Sequence, residues 1–367
     1  MSYALNVPIN QVSFGQVSTC LLKEIFYKSL FDPDSDQSSI FPVGQINLQN
    51  LASDDQDFYN WLQGKINNNV INHSRKNPAL KLWHLNGGFE SVSERQVLFT
   101  FYELDSPTTI EKNIAKDLRL VVSSRYTQEI FKEHGIESGY VPLGFDKNTF
   151  QKIDKEYHPA ERIVFNVVGK LERRKNHDKI IKAWLKKYGN NKKYFLQCSI
   201  HNPFMNEEQN TRAQQSLTEG KSYFNLAFLK YMQSNAAYND YLNSADIVIG
   251  MSGGEGWGLP EFQSVGLGKH AVILNAHAYK DWATPENAVL VEPSGKTEVY
   301  DGFFFRQGAP FNQGNIFSFE EDAFIEGCEQ AIKRVESSKE NSEGLKLQEE
   351  FTYEKTLEML LAEVNNI

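Results

Sequence analysis

Two stretches of this chain bring glycines, cations and acids together at spacings suited to an anionic ligand. The first runs Ala245-Asp246-Ile247-Val248-Ile249-Gly250-Met251-Ser252-Gly253-Gly254-Glu255-Gly256-Trp257-Gly258-Leu259-Pro260-Glu261-Phe262-Gln263-Ser264. An apolar strand enters a glycine loop, and a helix leaves it towards Gly266. Backbone N–H groups at such a helix start face a ligand and favour negative charge. An acid between Gly254 and Gly256 does little for packing, and a carboxylate there can accept hydrogen bonds from sugar hydroxyls. The glycines alternate, which is not the G-x-G-x-x-G dinucleotide fingerprint, and no Lys-Ser/Thr of a P-loop follows. The second stretch, Val168-Gly169-Lys170-Leu171-Glu172-Arg173-Arg174-Lys175-Asn176, places four cations within six residues of a strand end. Lysines aimed at a diphosphate would neutralise leaving-group charge without a metal. A solvated basic loop is the plainer alternative for a charge run. A third place, Asn6-Val7-Pro8 through Gly15-Gln16-Val17-Ser18, leads a strand into a loop, with Gly15 just before a helix. Glycine there admits a phosphate or sugar to the backbone, or serves the turn alone.

Short apolar runs alternate with amphipathic stretches, the pattern of an α/β protein with parallel sheets. Strands are predicted near Tyr3–Val7, Ile40–Gln45, Leu80–His84, Val97–Tyr102, Leu120–Ser123 and Gly139–Pro142, with helices over Val17–Leu30, Gln56–Asn69 and Thr127–His134. The pattern restarts with strand Ile163–Gly169, helix Asp178–Lys187 and strands Tyr194–Ser199, Ile247–Met251 and Ala271–Asn275. Between the halves, Asp146–Glu161 is polar and charged and reads as a linker. Glu292–Asn315 reads as a long ordered loop and Phe351–Ile367 as a final helix. The expected organisation is two Rossmann-like domains: an N-terminal one over 1–150 and a C-terminal one over 151–350, with 351–367 packing back on the first.

Composition narrows the function. The chain has 367 residues, with 38 Lys and Arg against 47 Asp and Glu, a formal charge of −9 that argues against a phosphate backbone or an anionic membrane as main partner. Cys20, Cys198 and Cys328 are scattered, which offers neither a disulfide framework nor a zinc site. The first residues carry no basic and apolar leader, and no run reaches the ~18 apolar residues of a membrane span. These features predict a soluble cytoplasmic protein, with peripheral membrane contact left open. Asp32-Pro33-Asp34-Ser35-Asp36 contains a D-x-D, but Gln37 and Val43 stand where a calcium loop needs Gly and Glu, so no metal is assigned.

These segments resemble the retaining nucleotide-sugar glycosyltransferases of family four, which have the GT-B fold, two Rossmann-like domains facing each other across a cleft. The family's G-R-L-x-x-x-K-G is matched by Gly169-Lys170-Leu171-Glu172-Arg173-Arg174-Lys175-Asn176, and its A-D…P-S-x-x-E-G-F-G-L-P by Ala245-Asp246, Met251-Ser252 and Glu255-Gly256-Trp257-Gly258-Leu259-Pro260. Val141-Pro142-Leu143-Gly144-Phe145-Asp146 looks like the end of the family's N-terminal domain, and Phe351-Thr352-Tyr353-Glu354 like the start of its last helix. Val299 to Phe305 is similar to viral and bacterial surface-glycan members. The second Glu of the family's E-x7-E falls on Gln263, while Glu261 stands two residues earlier.

The resemblance implies a transferase that moves a sugar from a nucleoside diphosphate sugar to a glycan or other hydroxyl acceptor, with retention and with no metal or other cofactor. Lys170 and Lys175 would bind the diphosphate, beside Gly15 and the amides of Gly254, Gly256, Trp257, Gly258 and Leu259. Glu255 would hold the sugar hydroxyls and Gln263 the nucleotide. A histidine at a strand end of the acceptor domain faces the donor sugar in this family, and His84, before Gly87-Gly88, is the candidate. His84, Glu255, Lys170 and Lys175 are thus the expected catalytic set. A DNA-base glycosyltransferase is one rival, although residues 1–150 carry 13 Lys and Arg against 17 Asp and Glu. A catalytically silent sugar-nucleotide-binding protein, for which Gln263 speaks, is the other.

Overall fold

The computed structural model describes residues 2–32, 36–47, 55–232 and 234–367. The D-x-D residues Pro33–Ser35 therefore lie outside the described residues. The chain divides into two compact units, one of 1–146 with 310–312 and 351–367, the other of 147–309 with 313–350.

The first unit carries β1 (Tyr3–Pro8), α1 (Ser13–Phe31), β2 (Ser38–Val43), α2 (Gln56–Asn67), β3 (Ala79–Leu82), β4 (Gln96–Thr100), α3 (Thr109–Asp117), β5 (Arg119–Val122), α4 (Arg125–Glu133) and β6 (Gly139–Tyr140). Among the described residues its sheet has the order β2-β1-β3-β4-β5-β6, all parallel. Strands β1, β3 and β4 are buried along their whole length, as strands covered on both faces must be. The order reverses between β1 and β3, which makes the ends of those strands this sheet's crevice. The closing helix Tyr353–Asn365 packs on α1, β3 and β4 through buried Tyr353, Leu357, Leu360 and Val364.

The second unit runs β7 (Ile163–Gly169), α5 (His177–Tyr188), β8 (Tyr194–Ile200), α6 (Glu207–Leu217), β9 (Leu226–Phe228), α7 (Asn235–Asn243), β10 (Ile247–Gly250), α8 (Leu259–Gly266), β11 (His270–Leu274), β12 (Val289–Val291), a hairpin of β13 (Gly295–Glu298) with β14 (Asn315–Ser318), and α9 (Glu321–Ser337). Its parallel sheet has the order β12-β11-β10-β7-β8-β9. Here the reversal falls between β7 and β10, the two strands that feed the cationic stretch and the glycine loop.

Every strand expected from the sequence is present. Three differences matter. Helix α1 begins at Ser13, so Gly15 lies inside its first turn and not before it. The loop expected over 292–315 contains a strand, β13. The stretch expected as a linker is bound to the second unit: buried Asn243 donates to the Gln151 carbonyl at 2.9 Å and accepts from Ile153 N at 3.0 Å, and Asn239 accepts from Gln151 N at 3.2 Å. Tyr157 adds a hydrogen bond to Asp240 at 2.7 Å. Polar composition marks solvated linkers, but here the polar partners sit on one face of α7.

Candidate functional site

In the second unit, the turn after β7 and the loop after β10 meet through a network of buried charges. Gly169 has φ of 131°, and a Cβ there would stand 3.1 Å from Lys175 Cε, so its absence lets the lysine run across the strand end. A 3-10 turn, Arg173–Lys175, follows and ends at Asn176 with φ of 56°. Asparagine is the next best residue after glycine for that left-handed conformation, which explains why Asn stands where the resembling family has Gly. Its side chain also donates to the Met251 carbonyl at 2.9 Å, joining the two segments.

Arg174 and Lys175 are both buried. The guanidinium of Arg174 donates to the Gly254 carbonyl, pairs with Glu172 at 2.6 Å and reaches Glu255 at 3.0 Å. The Lys175 ammonium contacts the same Glu255 oxygen. Burial pushes the Glu255 carboxyl up, but Lys175 and Arg174 outweigh it and hold the group at about 2. The same balance keeps Glu172 below the usual carboxylate range, where burial is outweighed by Arg174 and Lys170. Lys175 is raised despite its burial, because Glu255 and Glu261 face it. Lys170 stands at the rim, a third exposed, 2.8 Å from Glu172 and over the Phe304 ring at 4.5 Å.

The glycine loop is fixed from several sides. Gly253 N donates to the Arg174 carbonyl and the Gly253 carbonyl accepts from Phe317 N, both at 2.8 Å. A Cβ on Gly253 would stand 2.6 Å from the Phe317 carbonyl, so only glycine fits between the turn and β14. His277, on the 3-10 turn His277–Asp281 after β11, bonds through Nε2 to the Ser252 carbonyl at 2.8 Å. Burial holds this imidazole down at about 4. Gly258 caps α8 in the left-handed region, with φ of 83°, and a Cβ there would overlap the Tyr279 ring.

The remaining expected donor residues take several positions. Trp257 is buried, its ring packed on Phe262 and its carbonyl bonded to Trp282 Nε1 at 2.9 Å; Leu259 is buried as well. What these two can offer a ligand is backbone. Gln263 is buried on the first two turns of α8 and accepts from the Tyr238 hydroxyl at 3.2 Å. Lys170, Lys175, Gly254, Glu255, Gly256 and Gly258 thus gather on one sheet end.

Gly15 and His84 belong to the first unit, at the β1/β3 crevice. A Cβ on Gly15 would overlap the backbone and side chain of Asn10, so the space that the glycine frees is taken by the loop that precedes α1. His84 lies two residues beyond β3, exposed, with its ring centroid 4.4 Å from that of Phe14. Arg174, Glu172, His277, Tyr279 and Tyr238 were not singled out from sequence as site residues. Arg174 and Glu172 lay inside the motif, but nothing local marks His277, whose role depends on its reach to Ser252. Among the described residues no three His, Cys, Asp or Glu side chains group as metal ligands, and no helix is long and apolar enough to cross a membrane.

No protein-family model matches the chain, and no curated protein matches it in sequence. Solved structures do match. Anabaena HepE in complex with UDP-glucose is 12% identical with a TM-score of 0.66, over 100% of this chain and 99% of that one. Sucrose-phosphate synthase of Thermosynechococcus elongatus is 12% identical with a TM-score of 0.61, over 98% and 94%. The lipopolysaccharide outer core galactosyltransferase WaaB is 13% identical with a TM-score of 0.62, over 100% and 99%. With its two parallel six-stranded sheets, the chain has the α/β GT-B fold.

Proposed function

We propose that the protein is a glycosyltransferase that moves a sugar from a nucleoside diphosphate sugar to an acceptor hydroxyl, with retention at the anomeric carbon, in the synthesis of a surface glycan or glycoconjugate in the cytoplasm. The observation that carries this reading is Glu255, a buried carboxylate clamped by Lys175 and Arg174 at the switch point of the second unit's sheet. Structurally similar proteins solved with UDP and with UDP-glucose support a nucleotide sugar as donor. Fold alone does not decide function, so the weight rests on the site.

As the glycosidic C–O bond stretches, negative charge gathers on the leaving diphosphate. Lys170 at the rim, Lys175 behind it and the N–H groups at the start of α8 are the groups assigned to that charge, and the proposal calls for no metal or other cofactor. A diphosphate that draws Lys175 to itself loosens its hold on Glu255, which frees the carboxylate to accept hydrogen bonds from the sugar hydroxyls. Gln263, with both a donor and an acceptor, keeps the means to bind the nucleotide. The first unit is assigned the acceptor, and His84 the donor sugar.

A thermal-shift panel with UDP, GDP, ADP, CDP and dTDP and their sugars tests this. Ligand at ~100 times its dissociation constant adds about 2.7 kcal/mol. One base series should raise the melting temperature of the wild type and not of Lys175→Ala. No shift with any series would overturn the donor assignment.

A further inference from the structure

Helix α8 carries an acid that the roles above leave unused. Glu261 lies in its first turn and is 2% exposed. Two residues along a helix turn by ~200°, so Glu261 cannot substitute for Gln263, whose side chain meets Tyr238. Glu261 turns inward beneath the glycine loop instead. Its Cγ fills the space that a side chain on Gly250 of β10 would need, and Oε2 lies 3.3 Å from where a Cβ on Gly258 would stand.

The titratable groups that face this carboxyl are Lys175 from the turn before α5, Glu255 from the loop, Tyr279 from the turn after β11 and Tyr238 from α7. The nearest cations are already engaged: Lys175 on Glu255, and Arg174 on Glu172, Glu255 and the Gly254 carbonyl. Among the described residues Glu261 makes no ion pair, and its Oε2 has no hydrogen-bond partner, although the neutral Tyr279 hydroxyl faces the carboxyl. A buried carboxylate in that position is strongly disfavoured, and its cheapest remedy is to bind a proton. Burial raises the group, Lys175 opposes and Glu255 adds to the rise, leaving it at about 7. With Glu261 neutral, Lys170, Arg174 and Lys175 face only Glu172 and Glu255, and the cluster has one positive charge in surplus. With Glu261 ionised the surplus is gone.

We infer that Glu261 is a positioning residue whose proton is bound together with the donor: a diphosphate ester settling against Lys170 and Lys175 draws a proton from water onto the Glu261 carboxylate. The inference rests on the donor-binding reading above. The ligand's negative charge strengthens the hold of Glu261 on its proton, so the complex holds more proton than the free protein. Affinity is then greatest below neutral pH and falls as pH rises above about 7, by at most about tenfold per pH unit.

Calorimetric titration with UDP-glucose, ADP-glucose and GDP-mannose, in buffers of differing ionisation enthalpy at pH 7.5, reads the proton directly. The wild type should take up a fraction of a proton per donor bound. Glu261→Gln, which keeps shape and removes the charge, should bind without uptake and with an affinity level between pH 6.5 and 8.5. Binding without uptake in the wild type overturns the inference and leaves the donor site standing, whether or not the variant folds. Uptake that persists in Glu261→Gln does the same. If none of the three donors binds and no series of the thermal-shift panel, CDP and dTDP included, shifts the melting temperature, the donor reading falls and takes this inference with it.

Discussion

Glu255 is ionised in a buried place because two cations face it, and the dependence is mutual. Glu255→Gln leaves Lys175 and Arg174 buried without their shared partner. Such a loss typically removes about 3–5 kcal/mol, and we expect a fall of that order in urea unfolding. Lys170 separates the other way, since it sits at the rim. Lys170→Ala should move the urea midpoint little but lower kcat by ~100- to 1,000-fold, the effect of removing one group that stabilises transition-state charge. Asn176 offers a conformational test: Asn176→Gly should cost about 1 kcal/mol for the lost hydrogen bond to the Met251 carbonyl, whereas Asn176→Ala should cost about 1–2 kcal/mol more for its left-handed backbone. Stability should also respond to acid. His277 and His177, held by burial at about 4 and about 3, stay neutral in the folded protein while the unfolded chain takes up protons near 6.5. The stability from these two is whole above pH 6.5 and drains as pH falls towards their folded values, by up to about 1.4 kcal/mol per pH unit each. Glu261 works against one of them between pH 7 and 4.5, so a calorimetric Tm series from pH 7 to 5 should fall, and fall less for His277→Phe. At this scale the motif residues were legible, because glycines and charges keep their spacing in the chain. Which charge pairs with which was not. Lys175 and Glu255 are 80 residues apart in sequence, and only the parallel pairing of β7 with β10 brings them together.

Among the elements, the strands were the most legible, since a strand buried on both faces announces itself as an apolar run. Several helices escaped for identifiable reasons. Helix α3 starts with a full capping box of Thr108 and Glu111, and α6 with one of Asn206 and Gln209. Those signatures were present, but few apolar residues followed them to mark a buried face. The segment 150–157 shows the converse failure. Its own residues are those of a linker, and what holds it is the pair of asparagines one turn apart on α7. Asn243→Ala removes both the donor to the Gln151 carbonyl and the acceptor from Ile153 N. Gln151 keeps the Asn239 amide as a donor at 3.0 Å, so the Ile153 N–H is the group left unsatisfied, which should destabilise the second unit by about 1–3 kcal/mol. Limited proteolysis should then find new cuts between residues 150 and 157 that the wild type resists.

At the scale of the molecule, the first unit is discontinuous in sequence while the second is nearly continuous. The first unit's two long segments meet closely: Phe145 N donates to the Phe351 carbonyl at 2.9 Å, and a Cβ on Gly144 would overlap the backbone of Tyr353. Deleting 351–367 should therefore unfold the first unit and leave the second folded, so that calorimetry loses the first unit's transition and keeps the second's unchanged. The same layout sets an order of events on the ribosome. Residues 1–146 emerge first but lack the helix that covers α1, β3 and β4, and about 200 residues must be made before it arrives. At ~5–20 residues per second that is a wait of roughly 10–40 s. Through it the oldest part of the chain keeps apolar surface uncovered while the younger part folds, so the unit born first is finished last.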